Sequence, residues 1–87
     1  MWDTISCKLA RKIDARQAPT LTFIGDVVLE RPDGTDLHSD RVAWLQEKNR
    51  ARLKPTSTGV PVAITSPDAR AVKAEQYSIN VGIGKIS

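Results

Sequence analysis

The residue with the clearest capacity for acid–base chemistry is His38, which stands between Asp36 and Asp40 in the sequence. A histidine flanked by carboxylates could serve as a general base or as a metal ligand. A metal site needs three or four ligands, however, and the chain offers no second histidine and only Cys7 as a thiol. We therefore interpret His38 as a solvated turn histidine and Cys7 as a quiet buried thiol.

Other catalytic signatures are missing from the sequence. It contains no nucleophile elbow and no phosphate-binding loop, and the glycines Gly82 and Gly84 come too late and too close together for a dinucleotide fingerprint. The carboxylates of Asp33, Asp36 and Asp40 fit turn and edge-strand positions. The sequence thus predicts a protein that is not an enzyme and that has no catalytic residue, no cofactor and no metal.

The size and charge of the chain favour a small single domain, residues 1–87, with a thin core and a net charge of +3. Its positive residues gather in two clusters: Lys8, Arg11, Lys12 and Arg16, then Lys48, Arg50, Arg52 and Lys54. Because no aromatic residues for base stacking are interleaved with them, we prefer solvated surface to a nucleic-acid site. Neither a membrane-length apolar run nor a secretory signal is readable, so the compartment stays open.

The first segment, residues 3–16, has the spacing of an amphipathic helix. Ile5, Leu9 and Ile13 follow each other at intervals of four, which places them on one narrow helical face. Asp3 or Thr4 can cap the start, and the sequence Gln-Ala-Pro at residues 17–19 ends the segment. The sequence therefore predicts a short N-terminal helix.

From Thr20 the apolar period changes to two, which predicts a strand with a bulge or bend at Gly25. Pro32, Asp33 and Gly34 then fit the successive positions of a tight turn. The apolar positions that follow the turn do not all fall on one face of a strand. A bulge within residues 38–41 would bring them onto the same face.

Residues 40–53 suit strand and helix almost equally by propensity, and an internal repeat decides between them. At an offset of 35 residues, Pro32 falls on Pro67, Asp33 on Asp68, and the apolar positions of 27–44 on those of 62–79. The second copy ends in an alternating, glycine-containing run that is typical of a strand. By correspondence, Val42–Trp44 is predicted to be strand as well.

The fold class that follows is mainly β with a short N-terminal helix (α+β), an antiparallel sheet or partial jellyroll of two repeated hairpins. The first hairpin spans 20–53, the second spans 59–84, and residues 54–59 form the linker. A capped helix start at Ser66–Pro67 is the second interpretation of the turn in the second copy.

The two phrases "GDVVLERPDGTDLHSDRVAWL" and "VPVAITSPDARAVKAEQYSIN" together resemble lipopolysaccharide-transport proteins of the LptA/LptC type, the OstA-like β-jellyroll family. The likeness covers residues 20–84. The shared pattern is a glycine, an apolar strand, a polar turn and a strand with small and acidic residues, and this pattern occurs twice in the chain. The family's N-terminal anchor or signal has no match here, the chain is shorter than a typical member, and residues 3–16 have no counterpart.

This resemblance implies an apolar groove for lipid chains, a basic rim for phosphate, and a periplasmic location. The candidate apolar binding face consists of Leu21, Phe23, Val27, Leu29, Val42, Trp44, Val62, Ile64, Tyr77 and Ile79. The candidate basic rim consists of Arg31, Arg41 and Lys54. The competing interpretation is that the apolar set forms only the core, and we expect Trp44 in particular to be a packing residue.

The functional prediction is a non-enzymatic binding or assembly module that presents an antiparallel sheet. Its partners would be a second copy or another protein chain, paired through strand edges, with lipid as a further candidate and nucleic acid ranked below both. The uncharged runs Val60–Ile64 and Tyr77–Ile83 are the predicted edges. The alternative is a small adaptor or inhibitor, carried by a phage or other mobile element, that binds protein or nucleic acid through its basic surface.

Overall fold

The computed structural model describes residues 2–8, 10–14, 20–55 and 61–86 and is built almost wholly of β-strands. In chain order these are β1 (Asp3–Ser6), β2 (Ala10–Asp14), β3 (Thr20–Glu30), β4 (Asp36–Leu45), β5 (Arg50–Leu53), β6 (Val62–Ser66), β7 (Ala69–Ala74), β8 (Tyr77–Asn80) and β9 (Ile83–Ile86). One 3-10 turn, Gln46–Lys48, joins β4 to β5. The sheet is mixed, since β1 and β9 pair in parallel while the other pairs are antiparallel.

The predicted N-terminal helix is wrong, because Asp3–Ser6 and Ala10–Asp14 are strands. Both pair with β3, the first with residues 28–30 and the second with residues 20–24. The interval of four between Ile5 and its apolar successors is also a multiple of two, so the same spacing fits a strand. Asp3 and Ile5 are buried in β1 while Thr4 and Ser6 are half-buried, which is the alternation of a strand. Threonine, isoleucine and cysteine also favour helix only weakly.

Two half-sheets share the long strands β3 and β4. The first half-sheet runs β9–β1–β3–β4–β6–β7 and uses residues 27–30 of β3 with 36–39 of β4. The second runs β2–β3–β4–β5–β8 and uses residues 20–24 with 41–45. Strands that pass from one half-sheet to the other at a bulge are a known way to build corners between packed sheets.

The corner in β3 lies at Gly25 and Asp26, where the pairing register shifts between Ile24 and Val27. Both residues have positive φ, +88° for Gly25 and +44° for Asp26. This confirms the bend predicted at Gly25. The extra residue lies in β3 rather than in residues 38–41, although the buried positions of β4 do change parity there, from Leu37 and Ser39 to Val42.

The side chain of Ser39 stabilises the matching change of direction in β4. Its hydroxyl donates to the carbonyl oxygen of Arg41 at 3.0 Å and accepts from the Arg41 N–H at 3.3 Å. Ser39 is one of two buried polar residues among those described. A buried hydroxyl that satisfies local backbone groups avoids the penalty of an unpaired polar atom.

The path of paired strands returns to its starting point. From β3 it passes through β4, β5 and β8, then along Val81 and Gly82 into β9, and through β1 back to β3. Val81 N–H donates to the Asn49 carbonyl at 2.8 Å, and Asp3 N–H donates to the Gly82 carbonyl at 2.7 Å. The chain end of the described region is therefore tied to both half-sheets.

Residues from both half-sheets form one hydrophobic core. Its members are Ile5, Phe23, Val27, Leu29, Leu37, Val42, Ala51, Leu53, Val62 and Val81. Nine of these ten have no exposed surface. Full burial of a large apolar side chain contributes roughly 1.5–3 kcal/mol, so this shared core holds the two half-sheets together.

The 35-residue repeat is visible in the pairing register. Val27 pairs with Ser39 and Leu29 with Leu37 between β3 and β4, while Val62 pairs with Ala74 and Ile64 with Val72 between β6 and β7. Each of these pairs maps on its counterpart by the same offset. The two turns also touch, since a Cβ added to Gly34 would lie 2.7 Å from Pro67 Cγ.

The second copy does not fold as one hairpin with Tyr77–Ile79 as its returning arm. The chain bends at Glu75 and Gln76, so β7 pairs with β6 while β8 pairs with β5. Both Val42–Trp44 and Tyr77–Ile79 are strand, as predicted. Residues 67–68 form a turn rather than a helix start.

Strand β5 lies between the two equivalent segments and pairs with both in the same register. Leu53 pairs with Val42 on one side and with Tyr77 on the other, and Ala51 pairs with Trp44 and with Ile79. The offset of 35 relates each pair of partners. The sequence repeat thus corresponds to two parallel strands that flank β5.

Candidate functional site

His38 lies exposed on β4, at a shallow groove that Lys8, Asp26 and Asp40 also line. Lys8 and Asp26 form an ion pair of 3.3 Å across it, with both side chains 75% exposed. An ion pair this exposed contributes about 0–1 kcal/mol. Among the described residues, no group of three or more histidine, cysteine or acidic side chains is placed to hold a metal.

Some residues of the candidate apolar binding face lie in the core, and others lie partly at the surface. Phe23, Val27, Leu29, Val42 and Val62 are fully buried members of the core. Leu21, Trp44, Ile64 and Ile79 are half-buried and pack against that core. In this conformation the inner face of the sheet is therefore occupied by the protein's own side chains.

Trp44 lies among the packing residues, in agreement with its parity in β4. Its indole Nε1 is buried and has no hydrogen-bond partner in the described part of the chain. Tyr77, which pairs with Leu53, is the most exposed of the candidate apolar residues, at 37%. It stands at the side of the sheet where β8 ends the second half-sheet.

The three residues of the candidate basic rim do not form one site. Arg31 is half-buried, and its Nε lies 3.5 Å from Oδ1 of Asp3, which is nearly fully buried. The same carboxylate accepts a hydrogen bond from Gly82 N–H through Oδ2 at 3.1 Å. Arg31 thus belongs to a structural junction of β1, the β3–β4 turn and the β8–β9 corner.

Arg41 and Lys54, by contrast, are both exposed and lie opposite each other across β4 and β5. The Lys54 N–H donates to the Arg41 carbonyl at 3.3 Å. Arg50 and Arg52 are exposed at the alternate positions of β5, while Ala51 and Leu53 between them are buried. Four cations therefore project from the outer side of the second half-sheet; we call Arg41, Arg50, Arg52 and Lys54 the basic face.

The sequence-based prediction placed Arg50, Arg52 and Lys54 in one charge cluster and Arg41 with Lys54 in the candidate basic rim, so Arg41 was not joined to Arg50 and Arg52. The signal that could have joined them is the parity of β5, in which cations alternate with Ala51 and Leu53. The prediction of strand for residues 40–53 relied on the repeat, and the matched positions of the repeat end at residue 44, before β5. The alternation within β5 therefore did not enter that prediction.

The strand edges differ in how they are protected. In the described region, β2, β7, β8 and β9 each have a strand partner on only one side. The sequences of β2, β7 and β9 contain charged residues, which discourage pairing with a further strand. Strand β8, Tyr77–Asn80, contains neither charge nor proline.

The other predicted edge is not an edge. Strand β6, Val62–Ser66, pairs with β4 on one side and β7 on the other. Residue 60 lies outside the described residues. Only the second of the two uncharged runs therefore presents unpaired backbone groups, and within it the segment that does so is β8.

Two side chains near the described N-terminus complete the surface. Trp2 is 73% exposed, and its ring lies against the backbone at Gly82 and Gly84, where an added Cβ would meet ring atoms at 3.0 and 2.7 Å. Cys7 is half-buried and packs against the core.

Comparison with protein-family models, with curated proteins and with solved structures finds no match to this chain. Among the described residues, no helix has the length and apolarity required to cross a membrane. The resemblance to the lipopolysaccharide-transport family therefore stays a prediction.

Proposed function

We propose that this protein is a non-enzymatic assembly module that binds by adding a strand to the free edge of β8. The observation that carries the proposal is the contrast between β8 and the other edges, because β8 alone among them lacks a charged residue. Unpaired N–H and C=O groups along an unprotected edge are a template for another strand.

A second copy of the same chain is the partner that we expect. Two β8 edges related by a twofold axis would pair antiparallel and present identical surfaces to each other. Tyr77, already 37% exposed, would add apolar contact at each end of that pairing. Since β8 is uncharged, the approach of two such edges meets no like-charge repulsion along the strand itself.

A lipid-handling role is the finer function that the family resemblance implies. It would require an apolar groove, whereas Phe23, Val27 and Val42 are enclosed in the core. Strand addition needs no such opening. We therefore assign binding to the edge, and we place the transport of lipid chains second.

The repeat supplies a matched pair of variants for the test. Ser78 and Ala43 are equivalent by the offset of 35, both pair with Arg52, and both lie on the outer side of the second half-sheet. Ser78 is on the free strand β8, whereas Ala43 is on the interior strand β4. Ser78→Lys and Ala43→Lys therefore add the same charge beside the same partner.

Light scattering coupled to size exclusion would measure the mass of each protein over a concentration series. We expect the parent and Ala43→Lys to reach twice the chain mass of 9.5 kDa at high concentration, and Ser78→Lys to remain at that mass. A parent protein that stays at the chain mass, and that binds no other chain in a pull-down from its source, would contradict the proposal. Equal behaviour of the two variants would move the interface away from β8.

A further inference from the structure

The segment 41–54, which contains the basic face, has a larger net positive charge than the whole chain. Between Arg41 and Lys54 there are five cationic residues and one acidic residue, Glu47, a net charge of +4 against +3 for the whole chain. The rest of the chain is therefore slightly acidic. Such an asymmetry indicates an anionic partner for this side of the molecule.

The cations of the basic face lie in a row rather than a broad patch. Arg50 and Arg52 lie at alternate positions of β5 and Lys54 follows its last residue, a spacing that in extended backbone places successive Cα atoms about 6.8 Å apart. Arg41 stands beside Lys54 on the neighbouring strand. A row of this kind matches a ligand that presents negative charges at regular intervals along a line.

The neighbours of this row on β8 are polar, and those on β4 are apolar. Ala43 and Ser78 flank Arg52, and Leu45 and Asn80 flank Arg50. Within the described residues, no salt bridge joins the basic face to a carboxylate. The cations are thus available to an external anion, with hydroxyl and amide groups alongside.

We propose that the basic face binds single-stranded nucleic acid along its sugar–phosphate backbone. Sequence-independent binding of single strands combines a positively charged track for the backbone with aromatic side chains on which bases stack, and the basic face supplies only the track. Trp44 packs against the core and so does not offer a stacking platform. Binding should accordingly depend on phosphate contacts, be insensitive to base sequence, and weaken steeply with salt.

Fluorescence anisotropy with a labelled thymidine oligonucleotide would measure this binding over a range of salt concentrations. For about four phosphate contacts on a single strand, the slope of log K against log salt should be about −3. The double variant Arg50→Gln/Arg52→Gln should bind at least about tenfold more weakly, with a slope reduced by about 1.4.

The control is Lys73→Gln/Lys85→Gln, which removes the same charge from exposed positions on β7 and β9. We expect it to retain parental affinity within about twofold, because these lysines lie in the first half-sheet and outside the basic face. Equal loss in the two double variants would show that net charge alone governs binding and would overturn the proposal. Binding to anionic phospholipid vesicles without binding to the oligonucleotide would also overturn it. Neither result depends on the oligomeric state that tests the β8 edge.

Discussion

At the scale of single residues, the structure depends on a few positions with unusual backbone or burial. Gly34 closes the β3–β4 turn: its N–H donates to the Arg31 carbonyl at 3.0 Å, and its φ is +92°. Asp3 joins three segments through one buried carboxylate. The turn residues were predictable because proline, aspartate and glycine in succession specify this geometry locally. The role of Asp3 was not, because its partners Arg31 and Gly82 are distant in sequence.

The contact between the two repeated turns predicts coupling between Gly34 and Pro67. Gly34→Ala should destabilise the protein through two effects, the positive φ and a Cβ placed 2.7 Å from Pro67 Cγ. The first effect costs about 1–2 kcal/mol. The double variant Gly34→Ala/Pro67→Ala should recover the steric part only, so chemical denaturation of the two single variants and the double should show non-additivity. Strictly additive free energies of unfolding would mean that the two turns do not touch.

The Asp33 carboxylate predicts a pH-dependent contribution to stability. Its Oδ1 accepts from Thr35 N–H at 2.9 Å, and this hydrogen bond holds the pKa of Asp33 below its ordinary value of 3.8. A carboxyl whose pKa is lower in the folded state stabilises the protein above its ordinary pKa, and that stabilisation is lost as pH falls through the folded value. The stability difference between the parent and Asp33→Ala should therefore shrink on acidification from about pH 6 to about pH 2.

Asp33→Asn is the control for the pH experiment, because it keeps an oxygen acceptor for Thr35 but cannot ionise. Its difference from Asp33→Ala should not change over the same interval of pH. If the parent and Asp33→Ala also kept a constant difference, the lowered pKa would be refuted.

At the scale of elements, the bulge in β3 decides how the chain divides into two half-sheets. Gly25 and Asp26 have positive φ, and Lys8 N–H donates to the Gly25 carbonyl at 2.7 Å, between the strands β1 and β2. Glycine adopts this conformation without strain, whereas another residue does not. The bend could be predicted from Gly25, but its consequence, a second half-sheet, depends on contacts made far along the chain.

Two substitutions at the bulge should have unequal effects. Gly25→Ala forces a side chain into a left-handed conformation and should lower the free energy of unfolding by about 1–2 kcal/mol. Asp26→Gly removes only an exposed ion pair, worth about 0–1 kcal/mol, and glycine tolerates the positive φ, so it should destabilise the protein less than Gly25→Ala does. Thermal and urea denaturation of both variants would check this. Equal destabilisation would indicate that the backbone at residues 25 and 26 differs from the one described.

The strands themselves were predictable in part, for a physical reason. Thr20–Glu30 and Val42–Trp44 show their period directly or through the repeat, and both are strand. The interval of four between Ile5 and the next apolar residues in 3–16 fits both the helical period and the strand period. Pairing with β3 makes this segment strand. Local spacing does not contain the information that a neighbouring strand supplies.

At the scale of the whole molecule, the two copies of the sequence repeat occupy different places in the sheet. The first copy contributes β3 and β4, which are interior and shared by both half-sheets; the second contributes β6, β7 and β8, with β7 and β8 at edges. The repeat predicted the strands of both copies but not that the second returning arm divides at Glu75. The arm divides because its second part, β8, pairs with β5, and this pairing between distant segments is visible only in the folded chain. It is also what creates the exposed edge.

Amide hydrogen exchange measured by NMR tests most directly whether the free edge of β8 pairs with another β8. Within Tyr77–Asn80, alternate backbone amides point away from β5 and have no strand partner in the described single chain. As the concentration of the protein rises through the range where its mass doubles, these amides should become protected, while the edge amides of β7 should not change. Fast exchange of the β8 amides at every concentration, with the mass fixed at 9.5 kDa, would contradict the account.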